Sequence, residues 1–219
     1  MKKLKAMLYG AFALVFASIS ATPGLAGSSD FAGGFISVQA SVNGMELEGQ
    51  HTDQNGAITK GQGGEYVAVG GVEIGYSFPV DDSFFITIGA NYIPVDAEFK
   101  GDDAADEADV TITTKDHYTF YIAPSVSVYD NSALYLKIGY SEGETSATGD
   151  VTGTPNDLEG HTIAIGTTTV FESGAFVRTE AGTHIYDEVK ITGIGGNTAS
   201  TLKGDPSIAY GAVTLGIQF

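Results

Sequence analysis

Apolar residues fall on every second position in eight segments of the chain, with polar or small residues between them. This alternation is typical of β-strands whose two faces meet different surroundings. The last segment, which reads YGAVTLGIQF, shows the pattern clearly and ends on Phe219. The eight predicted strands span residues 31–42, 64–78, 83–95, 116–129, 133–142, 160–171, 174–187 and 207–219.

Short and long connections alternate strictly between these segments. The short ones are rich in turn-forming residues and lie at 79–82, 130–132 and 172–174. The long ones are polar and lie at 43–63, 96–115, 143–159 and 188–206. All short turns then share one end of the strand array, as in outer-membrane barrels with short periplasmic turns and long external loops. The sequence predicts an all-β fold, an eight-stranded antiparallel up-and-down transmembrane β-barrel.

A soluble eight-stranded barrel of the lipocalin type, with its apolar face inward, has the same alternation. Three features favour the membrane barrel. The polar strand face is mostly Gly, Ser and Thr, while most acidic residues lie in the long connections. The few charges on that face come in both signs, which suits a narrow interior where each charge needs a partner. Finally, the last strand ends on an apolar aromatic residue.

The first 26 residues have the three parts of a secretory signal peptide. A basic start precedes an apolar run from Ala6 to Ile19, and small residues follow up to Ala26. The run is shorter than the roughly 20 residues of a spanning helix, which disfavours an N-terminal membrane anchor. We predict cleavage after Ala26, a single barrel domain over residues 27–219, and no further domain after Phe219.

Acidic residues dominate the charge of the chain. Residues 27–219 hold all 27 acidic residues and seven basic ones, a formal net charge of −20. Such a charge opposes binding to nucleic acid, which requires Lys- and Arg-rich surfaces. The chain has no cysteine, so disulfides and thiolate metal sites are excluded.

The closing stretch from Tyr210 to Phe219 resembles the last strand of bacterial outer-membrane β-barrel proteins. Together with the signal peptide and the strand rhythm, it makes the chain similar to small OmpA/OmpX-like and opacity-like surface barrels. The resemblance implies that Tyr210, Leu215, Ile217 and Phe219 belong to a signal read by the barrel-assembly machinery. It implies location in the bacterial outer membrane more firmly than it implies a function.

Four charged residues share the polar strand face: Glu73, Lys137, Arg178 and Glu180. Since an eight-stranded barrel is about filled by its own side chains, we expect these charges to form ion pairs that close the interior. The alternative is a gate or narrow ion path lined by them.

Other candidate chemistry is weaker. His117, His161 and His184 lie near strand ends and His51 in the first long connection, but their spacing demands no metal site. The stretch GDDAADEAD, residues 101–109, has five carboxylates without the pattern of a calcium loop: Asp102, Asp103, Asp106, Glu107 and Asp109. We interpret it as a solvated acidic external loop. Ser141 beside Glu142, with His161 across the rim, is the nearest approach to a hydrolase arrangement, and no motif supports it.

The sequence therefore favours a non-enzymatic surface barrel without cofactors. Its role would be structural or adhesive, with acidic loops that stabilise the envelope or meet a surface ligand or host receptor. The alternative is a narrow porin-like channel with weak cation preference. The expected surroundings are outer-membrane lipid and lipopolysaccharide.

Overall fold

The computed structural model describes residues 27–53, 55–103, 108–194 and 200–219. The predicted signal peptide lies outside the described residues. A one-turn 3₁₀ helix, Ser28–Phe31, precedes one antiparallel sheet. Its strands are β1 (Gly33–Thr52), β2 (Ile58–Pro79), β3 (Phe84–Ile93), β4 (Ala97–Asp103), β5 (Ala108–Tyr129), β6 (Ser132–Gly149), β7 (Leu158–Val170), β8 (Ala175–Tyr186), β9 (Val189–Thr192) and β10 (Thr201–Gln218).

Eight of these strands form a closed ring in the order β1, β2, β3, β5, β6, β7, β8, β10, and β10 pairs with β1. At the closing seam Gly34 and Phe219 exchange both backbone hydrogen bonds, at 2.9 and 2.8 Å. The two remaining strands are short. β4 follows β3 and pairs with β5, and β9 follows β8 and pairs with β10. The predicted eight-stranded up-and-down barrel is confirmed.

Three tight turns, at residues 80–83, 130–131 and 171–174, connect strands at the end of the barrel that we call lower. At the opposite, upper end, the expected long loops are largely wrong. β1 and β2 continue to a turn at residues 53–57, and β5 and β6 continue to Ala108 and Gly149. These polar segments alternate only over short stretches, such as Met45 to Glu48, but paired strands satisfy each other's backbone groups whatever their side chains.

The turn between β1 and β2 is fixed by one carboxylate. Asp53 Oδ1 accepts hydrogen bonds from the amides of Asn55 and Ala57, at 2.8 and 2.7 Å. The bond from Ala57 holds the pKa of the Asp53 carboxyl below its usual value. The Asp53 amide in turn donates to the Ala57 carbonyl at 2.9 Å, so the ladder begins directly at the turn.

The lower barrel, which comprises the ring between the lower turns and the level of Tyr92, Tyr118 and Tyr140, is apolar outside. Its outward side chains are exposed, and they include Ile36, Val38, Val72, Ile74, Ile88, Phe120, Ile122, Leu136, Ile138, Ile163, Val213, Leu215 and Ile217. The inward positions hold buried polar and charged groups at the centre and buried aromatic rings near the lower end. The lipocalin-type alternative, with an apolar interior at this level, is therefore wrong. Among the described residues, no helix is long and apolar enough to cross a membrane.

The upper extension, which comprises the described residues of 43–71, 94–116, 142–159 and 186–208, has the opposite core. Buried apolar side chains fill its inside in two clusters: Met45, Leu158, Tyr186, Val189 and Ile208, and Val110 with Ile194. The inward face of β5 passes between the two levels through a β-bulge. At this bulge Asp116 has φ of 44° and the register with β6 shifts by one residue. Above the bulge the even-numbered residues of β5 point inward, and below it the odd-numbered residues do.

We predict that an added charge destabilises the protein on the outer surface of the lower barrel but not on that of the upper extension. Leu136 and Thr148 lie on the outward face of β6, the first in the lower barrel and the second in the upper extension. Leu136→Arg should lower the free energy of unfolding by about 2–4 kcal/mol in phospholipid bilayers, because it places a cation in hydrocarbon. Thr148→Arg, the control, should change it by less than about 0.5 kcal/mol. Urea unfolding followed by tyrosine fluorescence measures both, and equal effects would contradict a membrane-embedded lower barrel.

Candidate functional site

The four charges predicted to line the interior lie together at the centre of the lower barrel, on β2, β6 and β8. We call them the charge cluster. Lys137 Nζ lies 2.6 Å from Glu180 Oε2 and 3.5 Å from Glu73 Oε2, and Arg178 pairs with Glu73 through Nη1. All four side chains are buried. The cluster contains two cations and two carboxylates, so it is electrically balanced.

Tyrosine and threonine hydroxyls complete the hydrogen bonding of the charge cluster. Glu180 accepts from Tyr135 at 2.8 Å and from Tyr210 at 2.7 Å, while Arg178 Nε donates to Thr168 Oγ1 at 3.1 Å. Lys137 Nζ also lies 4.3 Å from the centre of the Tyr121 ring. Buried ions with this many partners resist rearrangement, since moving any of them leaves an unpaired charge.

A plug of aromatic rings closes the interior below the charge cluster. Phe31 from the 3₁₀ helix stacks on Phe85 with ring centres 4.8 Å apart, and Phe35 meets Phe176 edge-on at 5.7 Å. The Gln218 amide holds the helix in place by donating to the Ala32 carbonyl at 2.7 Å. We call these four rings the lower plug. Phe31 was expected to open the first strand, but it precedes β1 and turns into the barrel.

A layer of hydroxyl and imidazole groups lies above the charge cluster. Ser141 Oγ contacts Thr119, Thr162 and His184 Nδ1 at 2.7, 2.5 and 3.1 Å. His117 Nε2 contacts the Tyr186 hydroxyl at 2.7 Å. The His184 ring stacks on Tyr210 at 4.7 Å and so joins this layer to the charge cluster. The apolar core of the upper extension covers it from above.

Two interior cavities adjoin the charge cluster, and each measures about 20 Å³. One lies between the lower plug and Arg178, and the other lies between Asn91, Lys137 and His184. A volume of this size accommodates about one water molecule. A larger concavity of about 1150 Å³ lies at the lower rim beside Phe171, Glu172 and Phe219, where it opens to the surroundings. It therefore does not form part of the interior.

The residues of the expected assembly signal divide between two faces of β10. Leu215, Ile217 and Phe219 point outward, and Phe219 is 80 % exposed at the lower rim. Tyr210 points inward and donates to Glu180. The three outward residues lie where a second protein can reach them, whereas Tyr210 belongs to the interior.

The four histidines do not meet at one point. His117 and His184 lie inside with ring centres 5.2 Å apart, whereas His161 lies outside near Tyr140. His51 is buried near the top of β1. Among the described residues, no group of three or more His, Asp or Glu side chains could hold a metal ion.

The described ends of the acidic stretch 101–109, residues 101–103 and 108–109, are paired strand residues where a loop was expected. Asp102 pairs with Asp109 and Asp103 with Ala108 in the ladder between β4 and β5. Asp106 and Glu107 lie outside the described residues.

The barrel wall separates the members of the hydrolase-like arrangement. Ser141 is fully buried inside, while Glu142 and His161 lie on outward positions of β6 and β7. The histidine that does contact Ser141 is His184, which sequence reasoning did not pair with it. Strand parity could have placed both side chains inside, because Ser141 shares its parity with Lys137 and His184 shares its parity with Glu180.

The barrel is similar to solved outer-membrane proteins. Outer membrane protein OprG from Pseudomonas aeruginosa has a TM-score of 0.55 over 86% of this chain and 97% of its own, at 13% sequence identity. Outer membrane protein AlkL, determined in lipid bilayers, has a TM-score of 0.55 over 91% of this chain and 95% of its own, at 14% identity. No protein-family model matches the chain, and no curated protein matches it either. The likeness shows the fold: this chain has the fold of the small bacterial outer-membrane β-barrels.

We predict that the charge cluster is strongly coupled. Lys137→Met leaves Glu180 without its nearest cation and should cost about 3–5 kcal/mol of stability. Adding Glu180→Gln should restore at least about 1 kcal/mol, because the uncompensated carboxylate is removed. Urea unfolding of the single and double variants measures this coupling.

The matched control is Lys203→Met. Lys203 pairs with Glu188 at 2.8 Å, but both side chains are exposed in the upper extension. Its loss should therefore cost less than about 1 kcal/mol. Equal costs for Lys137→Met and Lys203→Met would contradict a tightly compensated interior.

Proposed function

We propose that this chain is an outer-membrane barrel that anchors an acidic interaction platform at the cell surface. The lower barrel is the anchor and the upper extension is the platform. The observation that carries the proposal is the closed interior, in which the lower plug, the charge cluster and the apolar core of the upper extension follow one another along the axis. A barrel closed in this way has its accessible chemistry on the outside.

The distribution of charge supports the same division of roles. The described residues of the upper extension include 18 of the 27 acidic residues of the chain and only five basic ones. The lower barrel is apolar outside and balanced inside. The uncompensated negative charge is therefore concentrated at the end with the long hairpins, where it gives the platform a strong field.

The lower barrel supports a proposal of lipid and assembly partners. Its apolar belt suits outer-membrane hydrocarbon. Exposed rings of Tyr92 and Tyr140 at its upper level, and of Phe171 and Phe219 at its lower rim, suit the two interfaces. The exposed Leu215, Ile217 and Phe219 on β10 suit recognition by the barrel-assembly machinery. A signal peptide over residues 1–26 would direct secretion to the periplasm, from which the barrel inserts into the outer membrane.

We predict that the protein does not conduct. Purified protein in a planar bilayer should give no steady ohmic current, because ions would have to cross two apolar layers and a balanced cluster. The gel mobility of unheated and boiled samples establishes that the inserted protein is folded. A steady cation-favouring current that changes with Arg178→Ala or Lys137→Ala would support the narrow channel instead.

We predict that the upper end faces the outside of the cell. The natural chain has no cysteine, so single substitutions report on one position each. Asn55→Cys, in the turn between β1 and β2, should react with a membrane-impermeant maleimide on intact cells. Glu172→Cys, in a lower turn, should react only after the outer membrane is permeabilised. The reverse pattern would overturn the platform proposal.

A further inference from the structure

The barrel wall is incomplete in the upper extension. β2 pairs with β3 only from Val72 to Pro79, and β4 pairs with β5 but not with β2. Within the part of the chain that the structure describes, the upper half of β2, residues 58–71, therefore pairs with β1 alone. We call the opening between residues 58–71 and β4 the β2–β4 seam.

The hydrogen-bond pattern identifies the backbone groups that face this seam. The Asp53 amide bonds the Ala57 carbonyl, so odd-numbered residues of β2 bond β1. The two bonds between Gly34 and Phe219 agree with this pattern. They show that even-numbered residues of β1 bond β10, which leaves the odd-numbered residues of β1 to bond β2. The even-numbered residues of β2 from Ile58 to Gly70 consequently direct their N–H and C=O groups into the seam.

This edge lacks the usual protection against strand addition. The register between β1 and β2 runs without a shift from Gly33 and Ser77 to Thr52 and Ile58, so no bulge bends the edge away. The upper half of β2 contains no proline and one basic residue, Lys60. Natural sheets cover or interrupt an edge of this length.

Glycines along the edge leave room for another backbone. A Cβ added at Gly61 or Gly63 would meet no heavy atom within 4 Å. Gly75 and Gly89, in the lower barrel, differ because a Cβ there would overlap the rings of Phe35 and Tyr121. Packing accounts for the lower glycines but not for the upper pair, and glycine within a strand often marks the close approach of a second chain.

The acidic residues beside the seam favour a basic binding partner. Glu65, Asp96 and Glu98 are exposed along its two sides, within an upper extension that is acidic throughout. A second copy of this chain fits poorly, because copies in one membrane would run their β2 strands parallel and bring Glu65 towards its own counterpart. We propose that the β2–β4 seam binds an extended, basic peptide segment of a partner protein, which adds to β2 as an antiparallel strand. This inference rests on the proposed function, since it names the partner of the platform.

The test uses the protein purified in detergent micelles and a synthetic peptide of alternating Lys and Val. Amide hydrogen exchange is measured residue by residue along β2 with and without the peptide. The even-numbered amides from Ile58 to Gly70 should exchange freely in the protein alone and become protected with the peptide. The odd-numbered amides should be protected in both states, because they bond β1.

Two control peptides separate strand addition from charge attraction. The alternating Glu and Val peptide should not bind, and a Lys and Val peptide interrupted by prolines should bind at least about tenfold more weakly. Ala68→Pro, which removes one seam-facing amide, should weaken the Lys and Val peptide by about tenfold, while Ala68→Ser should leave its affinity unchanged.

Three results would overturn the inference: no binding of the Lys and Val peptide, binding without new protection of the even-numbered amides, or protection of those amides in the protein alone. None of these results affects the platform proposal, which the cysteine labelling and the bilayer current decide separately.

Discussion

Pairing between β1 and β10 is the constraint on which the rest of the barrel depends. Hydrocarbon contains no water to satisfy a free N–H or C=O group, so a sheet that crosses it must have no open edge. The pairing runs without a shift from Phe35 and Gln218 to Thr52 and Thr201. Its lower end requires close approach, because a Cβ on Gly34 would overlap the Phe219 ring. The β2–β4 seam shows the converse, since an unpaired edge is tolerable where water is available.

The same barrel wall carries two opposite cores. In the lower barrel the outside meets lipid, so apolar side chains point outward and the interior holds charges that must find partners. In the upper extension the outside meets water, so burial of apolar groups inside becomes favourable. Strand β5 joins the two regimes through the bulge at Asp116. Without that extra residue, the parity that directs Thr119 and Tyr121 inward would direct Val110 and Ile112 outward.

Strand parity made much of the lower barrel predictable. Alternation identified the eight ring strands and placed Glu73, Lys137, Arg178 and Glu180 on one face, because lipid outside and polar groups inside give period two in the sequence. The same reasoning missed the upper halves of β1, β2, β5 and β6. In segments such as GQGGEY the strand is held by its neighbour's backbone, and the side chains carry little alternation.

The interior site was predictable in its members but not in its partners. Parity places Tyr135 and Tyr210 inside, yet only the three-dimensional register brings both hydroxyls to Glu180. The pairing of Ser141 with His184 likewise depends on how β6, β7 and β8 align. Phe31 was assigned to the first strand, because a single 3₁₀ turn leaves no periodic signal of its own, and its place in the lower plug was not predicted.

The position of the uncompensated charge favours the proposed interaction platform over the alternative of a narrow channel. A conducting path needs an interior field that favours one ion, but two carboxylates and two cations within hydrogen-bonding distance cancel one another. Apolar layers above and below the cluster add a dehydration cost for any ion that enters. The acidic residues of the upper extension are opposed by few cations, and they surround a strand edge with free backbone groups. Attraction of a basic partner to that edge needs no opening through the barrel. The closed interior and the acidic surface are therefore both compatible with the proposed binding.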